Sequence, residues 1–304
     1  MRLAVFDDYR LGVVRGAEMV DVTAILDPGE RAWPPIFMQR LIADWERRSA
    51  AIEALVQRAD TPRRPLGEVR FQPPVPWPGK IVAAPVNYRA HQAELTAATG
   101  VYAGQAIRTV ADYGLFLKPP SSLTGHDTEV ILPFSARRTD HEAEIAVIIG
   151  RPVKNAAPSD ALAAVFGYTA LLDLTVRGAE DRPYRKGFDG FTPLGPWLVT
   201  ADEVPDPGHW AFRLTVNGML RQSGHTEDMI YDIAQLIALA SYQSTLHPGD
   251  IIATGTPEGV GPVEPGDRVE LHVDHVGTLA VTMAADPAPP EAALRPWAER
   301  FLRG

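Results

Sequence analysis

Apolar positions near the start of the chain come in short runs, Leu3–Phe6, Gly12–Val14 and Met19–Val22, separated by polar residues and glycine. That spacing predicts a meander of short strands. Between Pro34 and Ala59 the period changes. Phe37, Leu41, Trp45, Ile52, Leu55 and Val56 recur at mostly helical spacing, behind a Pro34-Pro35 start that suits a first helical turn. The run Pro73-Pro74-Val75-Pro76-Trp77-Pro78 holds the chain extended and is barred from a central strand. It predicts a linker over 73–79, between a small N-terminal domain of strands plus one helix (1–72) and a larger domain (80–285).

The larger segment reads as short strands and turns: Lys80–Ala84, Leu115–Leu117, Glu129–Leu132, Glu142–Ile149, Ala164–Leu174, Trp197–Val199, Phe212–Val216, Ile251–Ala253, Arg268–Val273 and Thr278–Val281. Asn217-Gly218 between apolar runs predicts a two-residue hairpin, because both positions tolerate positive φ. One helix is expected, with Thr226 as N-cap, Glu227 and Asp228 in its first turn, and Ile230, Ile233, Ile237 and Ala240 on one face. A C-terminal tail (286–304) is expected to carry a short surface helix. The predicted class is mostly β (α+β).

Composition narrows the chemistry. The 304-residue chain has no cysteine, which excludes disulfide scaffolds, thiolate catalysis and Cys-ligated metal sites. Its 29 Lys and Arg against 38 Asp and Glu give a net charge of −9 with no basic run, which argues against nucleic acid or an anionic membrane as partner. The most apolar stretch, Ala161–Leu172, is too short to span a bilayer. Asp7-Asp8 interrupt the first apolar run before a secretory core forms, so a cytoplasmic location is expected. Lysine occurs only at 80, 118, 154 and 186, so each lysine raises a question of role.

Glu142 and Glu144, two apart on a predicted strand, share a face. Alone they read as the charged side of an exposed edge strand. Asp173, closing the apolar run Ala164–Leu174, changes that reading. Three carboxylates brought together would hold a hard, oxygen-loving cation: Mg²⁺, Mn²⁺ or Ca²⁺. In Asn87-Tyr88-Arg89-Ala90-His91-Gln92-Ala93-Glu94, a helical turn puts His91 beside Glu94, an arrangement that suits a water-activating base and also occurs incidentally on surface helices. Lys186, next to Gly187, is a candidate to stabilise an oxyanion, or one more solvated loop cation. The Gly-rich turn Thr254-Gly255-Thr256-Pro257-Glu258-Gly259 lacks a phosphate-loop lysine, which excludes nucleotide binding but permits close backbone approach to a small ligand.

In this order the segments resemble the fumarylacetoacetate hydrolase family. The resemblance rests on Lys80-Ile81-Val82, Asn87-Tyr88-Arg89-Ala90-His91, Phe116-Leu117-Lys118-Pro119, Glu142-Ala143-Glu144-Ile145 and Gly167-Tyr168-Thr169. It continues through Asp173-Leu174-Thr175-Val176-Arg177, Lys186-Gly187-Phe188-Asp189, Leu194-Gly195-Pro196, Val216-Asn217-Gly218, Pro248-Gly249-Asp250 and Thr254-Gly255-Thr256-Pro257, covering about residues 78–283. It implies a mixed β-roll catalytic domain, in a homodimer, with metal ligands at Glu142, Glu144 and Asp173. It also implies a lid pair at His91 and Glu94, an active-site lysine at Lys186, and Thr256 near the substrate. The sequence departs from the family where the usual Arg-Asp-x-Gln reads Arg177-Gly178-Ala179-Glu180, where Leu172 replaces a common Asn, and where His141 replaces a common aromatic residue.

The implied activity is Mg²⁺- or Mn²⁺-dependent hydrolysis of a C–C bond in a 1,3-dicarbonyl or acylpyruvate-type keto acid. Decarboxylation of a β-keto acid and isomerisation of an unsaturated keto diacid are the alternatives on the same site. A binding protein that kept the fold without the activity would be expected to have lost some of these groups. Arg177 and Thr256 are expected to contact substrate. Arg108, in the long stretch Leu95–Tyr113, is expected to clamp a substrate carboxylate as that stretch closes.

Overall fold

The computed structural model describes residues 1–27, 29–97, 107–134, 136–204 and 206–287. The fold is mixed α+β. The predicted meander forms as Arg2–Phe6, Arg10–Arg15 and Glu18–Asp21, paired antiparallel. It does not stand apart. Arg2–Phe6 pairs antiparallel with Thr192–Thr200, which pairs in turn with Val165–Leu172, Val165–Leu172 with Ala143–Ile149, and Ala143–Ile149 with Ile251–Ala253. Ile81–Ala83 follows in parallel and Phe116–Lys118 antiparallel, within one twelve-stranded sheet. Strands from before the proline-rich stretch therefore continue the sheet formed after it.

The strand Ala143–Ile149 is buried along its whole length. Its side chains alternate between two cores, as a period of two requires. Ala146 and Ile148 join a cluster with Leu3, Val5, Phe37 and Leu41, whereas Ile145, Val147 and Ile149 join one with Leu236, Leu271 and Leu279. A strand covered on both faces reads as an unbroken apolar run, which is how it appears in the sequence. The second core is closed by a five-stranded sheet in the order Met219–His225, Ala211–Val216, Arg268–Val273, Gly277–Ala285, Thr128–Leu132. Its hairpin turns at Asn217-Gly218, with φ of +52° and +77°.

Three details differ from the pattern-based expectation. The helical stretch after Pro34 is two helices, Phe37–Ala43 and Trp45–Gln57, meeting at Asp44. The helix expected from Thr226 begins at Ile233. Asp232 and Gln235 form a reciprocal capping box there, whereas the Thr226 hydroxyl is engaged by the backbone N–H of Trp210 at 2.9 Å. Glu142 lies between two strands, Thr139–His141 in a small three-stranded sheet and Ala143–Ile149 in the large one. Apart from its first two residues, the expected tail helix falls outside the described residues. Among the described residues, no helix is long and apolar enough to cross a membrane.

Gly167 sits between Ile148 and Thr200 in the middle of the large sheet. A Cβ there would lie 2.2 Å from the Val199 carbonyl oxygen, a backbone atom with little room to yield. Gly167→Ala is expected to destabilise the protein by about 1–3 kcal/mol, read as a lower midpoint in thermal denaturation. An unchanged midpoint would show that the sheet can part at this point.

Candidate active site

Sheet register assembles an acidic cluster. Ala143 pairs with Leu172, so the residues just outside that pair, Glu142 and Asp173, come together, and the Asp173 N–H donates to the Glu142 carbonyl at 2.9 Å. Glu144 follows two residues along. Glu142, Glu144 and Asp173 are all buried, and each offers a carboxylate oxygen within 4.8 Å of the others. Glu144 accepts a hydrogen bond from the Gly255 N–H at 2.9 Å. Gly255 has φ of +90°, and a Cβ there would meet the Asn87 side chain at 2.8 Å, so this close approach requires glycine.

Cations surround two of the three acids. Lys186 Nζ donates to Glu142 at 2.7 Å, Asp173 at 2.5 Å and the Thr175 hydroxyl at 2.7 Å. Lys118, fully buried, donates to the other oxygen of Asp173 and to the Phe191 carbonyl at 3.2 Å. Arg177 reaches Glu142 at 2.9 Å and Asp140 at 2.6 Å, and Arg138 holds Asp140 from the outside at 2.5 Å.

The titration of each group follows from these neighbours. Burial works to raise the Glu142 carboxyl, but Lys186 and Arg177 outweigh it and hold the group well below the usual carboxylate range. Glu144 goes the other way: burial, and then the charge of Asp173, push it well above its ordinary value. Burial depresses Lys118 against the pull of Asp173, while Lys186 is held above its ordinary value because Asp173 and Glu142 together overcome burial. Three buried carboxylates, one of them with no cationic side chain in contact among the described residues, are a donor set that suits a hard divalent cation.

The cluster opens into a cavity of about 330 Å³ whose wall includes His91, Tyr113, Phe116, Arg182 and Thr256. His91 and Glu94 share a face of the helix Arg89–Ala97, with Nδ1 3.1 Å from the carboxylate. The other Glu94 oxygen accepts from the Gly259 N–H at 3.0 Å. Burial acts to raise Glu94, but His91 and the Gly259 amide bring it below its ordinary value. Thr256 is held by Gln222, and the polarity of that contact is determined. Gln222 Oε1 accepts from the Ala143 N–H at 3.0 Å, so its amide nitrogen is the end that donates to Thr256 Oγ1 at 2.8 Å and to the Pro257 carbonyl at 3.0 Å. The Thr256 hydroxyl proton is thereby left to other acceptors. His141 Nδ1 faces the same Gln222 oxygen at 3.0 Å and must carry its proton there.

Of the residues singled out from the sequence, the structure brings Glu142, Glu144, Asp173, His91, Lys186, Arg177 and Thr256 to one cavity, with Glu94 behind His91. Arg108 is not among them. It is exposed, and its neighbour Ile107 lines the wall instead. Much of the stretch around it, 98–106 with Tyr102, lies outside the described residues. Sequence reasoning assigned no role to Lys118, Gln222 or Arg182. The scarcity of lysine pointed at Lys118. Nothing local pointed at Gln222, which arrives on a hairpin strand remote in sequence. Glu180, at the departure from the family pattern, makes a two-pronged pair with Arg137, both contacts at 2.8 Å.

Residues 80–284 match the family model described as fumarylacetoacetate (FAA) hydrolase C-terminal. The chain belongs to the fumarylacetoacetate hydrolase family. A maleylpyruvate hydrolase of Aquipseudomonas alcaligenes is 43% identical over 286 residues, 93% of this chain and 99% of the relative. The crystal structure of maleylpyruvate hydrolase from Sphingobium sp. SYK-6 is 46% identical with a TM-score of 0.82, covering 94% of this chain and all of that one. The same enzyme in complex with manganese(II) and pyruvate matches at 45% identity and a TM-score of 0.82, over 94% of this chain and 99% of that one. As in that relative, a divalent metal is the cofactor to which the acidic triad of this chain is suited.

Two outcomes follow for the metal-free protein. Because folding lifts Glu144 above its ordinary 4.5, the contribution of Glu144 to stability is fully present below that pH and is lost as pH rises through the lifted value. Added Mn²⁺ or Mg²⁺ is expected to raise the thermal midpoint and offset that loss, by about 2.7 kcal/mol when the ion is at a hundred times its Kd. Asp173→Asn is expected to lose most of the gain. A full gain in the variant would remove the triad as the binding site.

Proposed function

We propose that this chain hydrolyses maleylpyruvate or a close acylpyruvate, releasing pyruvate and the acid from the far side of the broken bond. The broader class, a metal-dependent C–C bond hydrolase of this family, is supported by full-length relatives at 43–46% identity. The observation that carries the reading is the His91–Glu94 pair on the wall of the cavity that holds the acidic triad, since hydrolysis needs an activated water and decarboxylation does not.

A divalent cation held by Glu142, Glu144 and Asp173, Mg²⁺ or Mn²⁺, supplies Lewis-acid chemistry at the 2-oxo acid end of the substrate. His91, with Nδ1 committed to Glu94, takes a proton from water at Nε2 as that water attacks the distal carbonyl, and Glu94 balances the imidazolium that forms. The C–C bond then breaks. Its electron pair goes to the pyruvate fragment as an enolate, which a proton quenches, and the acyl fragment leaves as a carboxylic acid. Lys186, kept charged by Asp173 and Glu142, offsets the developing negative charge. Thr256, its oxygen already engaged by Gln222, donates its hydroxyl proton to a substrate oxygen. Arg177 holds Glu142 in place. We further place the protein in the cytoplasm as a homodimer with no nucleic-acid partner. The net charge of −9 supports the last of these and the family resemblance supports the dimer.

Loss of the enol absorbance of maleylpyruvate on metal-stripped protein, with and without Mn²⁺, tests the reading. His91→Gln is expected to lower kcat by about 10²–10⁴ while leaving Mn²⁺ binding intact. Undiminished turnover in that variant, or wild-type protein that consumes oxaloacetate and no acylpyruvate, would contradict it.

A further inference from the structure

Four basic side chains line the cavity, and three are already committed. Arg177 is tied to Asp140 and Glu142, Lys186 to Glu142 and Asp173, and Arg185 donates to the backbone carbonyls of Glu180 and Val176. Arg182 is different. It is half-buried, makes no ion pair among the described residues, and lies with its guanidinium 4.2 Å over the ring of Tyr113. The cation–π contact holds the guanidinium beside the ring while no carboxylate among the described residues pairs with it, and a guanidinium's fork of N–H groups matches a planar carboxylate.

Position gives this cation a meaning. Arg182 and Lys186 are one helical turn apart, closed by the Lys186 N–H to the Arg182 carbonyl at 3.1 Å, so they share a face with Lys186 at the acidic triad and Arg182 further along the cavity wall. Glu180, on the same wall, is neutralised by Arg137. Asp181 is exposed and forms no ion pair among the described residues, so it opposes rather than assists an anion.

We propose that Arg182 receives the second carboxylate of a dicarboxylic substrate, so that the site selects 2-oxo diacids over monoacids of the same length. Arg182 thereby takes the clamping role that the sequence suggested for Arg108. The inference rests on the reading that the 2-oxo acid end lies at the acidic triad. A bidentate guanidinium–carboxylate pair adds both charge and direction, which a diacid satisfies and a monoacid leaves unmet.

Calorimetric titration of the full chain loaded with Mn²⁺ tests this with two unreactive ligands, 2-oxoadipate and 2-oxohexanoate. Wild-type protein is expected to bind the diacid roughly tenfold to a hundredfold more tightly, the worth of a charge-assisted hydrogen bond. Arg182→Gln should abolish that preference while leaving the monoacid affinity within about twofold, and Arg182→Lys should retain part of it. Equal binding of both acids by wild type, or an equal loss for both acids in Arg182→Gln, would overturn the proposal. The reaction itself is judged separately by acylpyruvate bleaching. A diacid preference lost in Arg182→Gln without any bleaching keeps the clamp and refutes the hydrolase reading, whereas bleaching without the preference does the reverse.

Discussion

Three carboxylates buried within 4.8 Å of one another repel unless positive charge is brought between or beside them, and much of this structure is arranged around that constraint. Lys118 comes from an edge of the large sheet, Lys186 from the end of a short helix, and Arg177 from just past a strand of the three-stranded sheet. Lys118 lies 55 residues from Asp173, and Arg177 and Lys186 lie 35 and 44 residues from Glu142, so the fold brings each to its partner. The charges extend outward in alternation, from Asp173 and Glu142 through Arg177 to Asp140 and Arg138. Glu144 stands outside this compensation and is the acid that most needs a metal ion, because only the Gly255 amide serves it directly among the described residues.

The same constraint explains why the sheet is built as it is. The pairing of Ala143 with Leu172 brings Glu142 against Asp173, and a slip of one residue would turn Glu144 to the opposite core. The two apolar clusters packed on either face of Ala143–Ile149 hold that register. The N-terminal strands take part in this, since Leu3 and Val5 share a cluster with Ile148 and Leu198. Stability supplied far from the cavity thus sets the geometry inside it.

Much of this was legible in the sequence, for physical reasons. Ile251–Ala253 and Arg268–Val273 match their predicted bounds because turn residues fence them on both sides, and Asn217-Gly218 marks its hairpin because few other pairs accept positive φ twice. The acidic triad was visible because charged residues at the ends of apolar strands are few. Helix starts were less legible: Thr226 and Asp232 are both acceptable caps, and the choice depended on Trp210 occupying the Thr226 hydroxyl. Partnerships were least legible of all. Gln222 fixes the polarity of Thr256, and Arg182 rather than Arg108 lies on the cavity wall, through contacts between segments that no local pattern records.

In the proposed hydrolysis, water enters the far fragment as a C–C bond breaks. Turnover of maleylpyruvate in water enriched in heavy oxygen, with Mn²⁺-loaded protein and mass analysis of both products, tests it most directly. One labelled oxygen is expected in a carboxylate of the released maleate and none in the carboxylate of pyruvate. Unlabelled maleate, release of carbon dioxide, or an isomer of the starting acid as the sole product would contradict it.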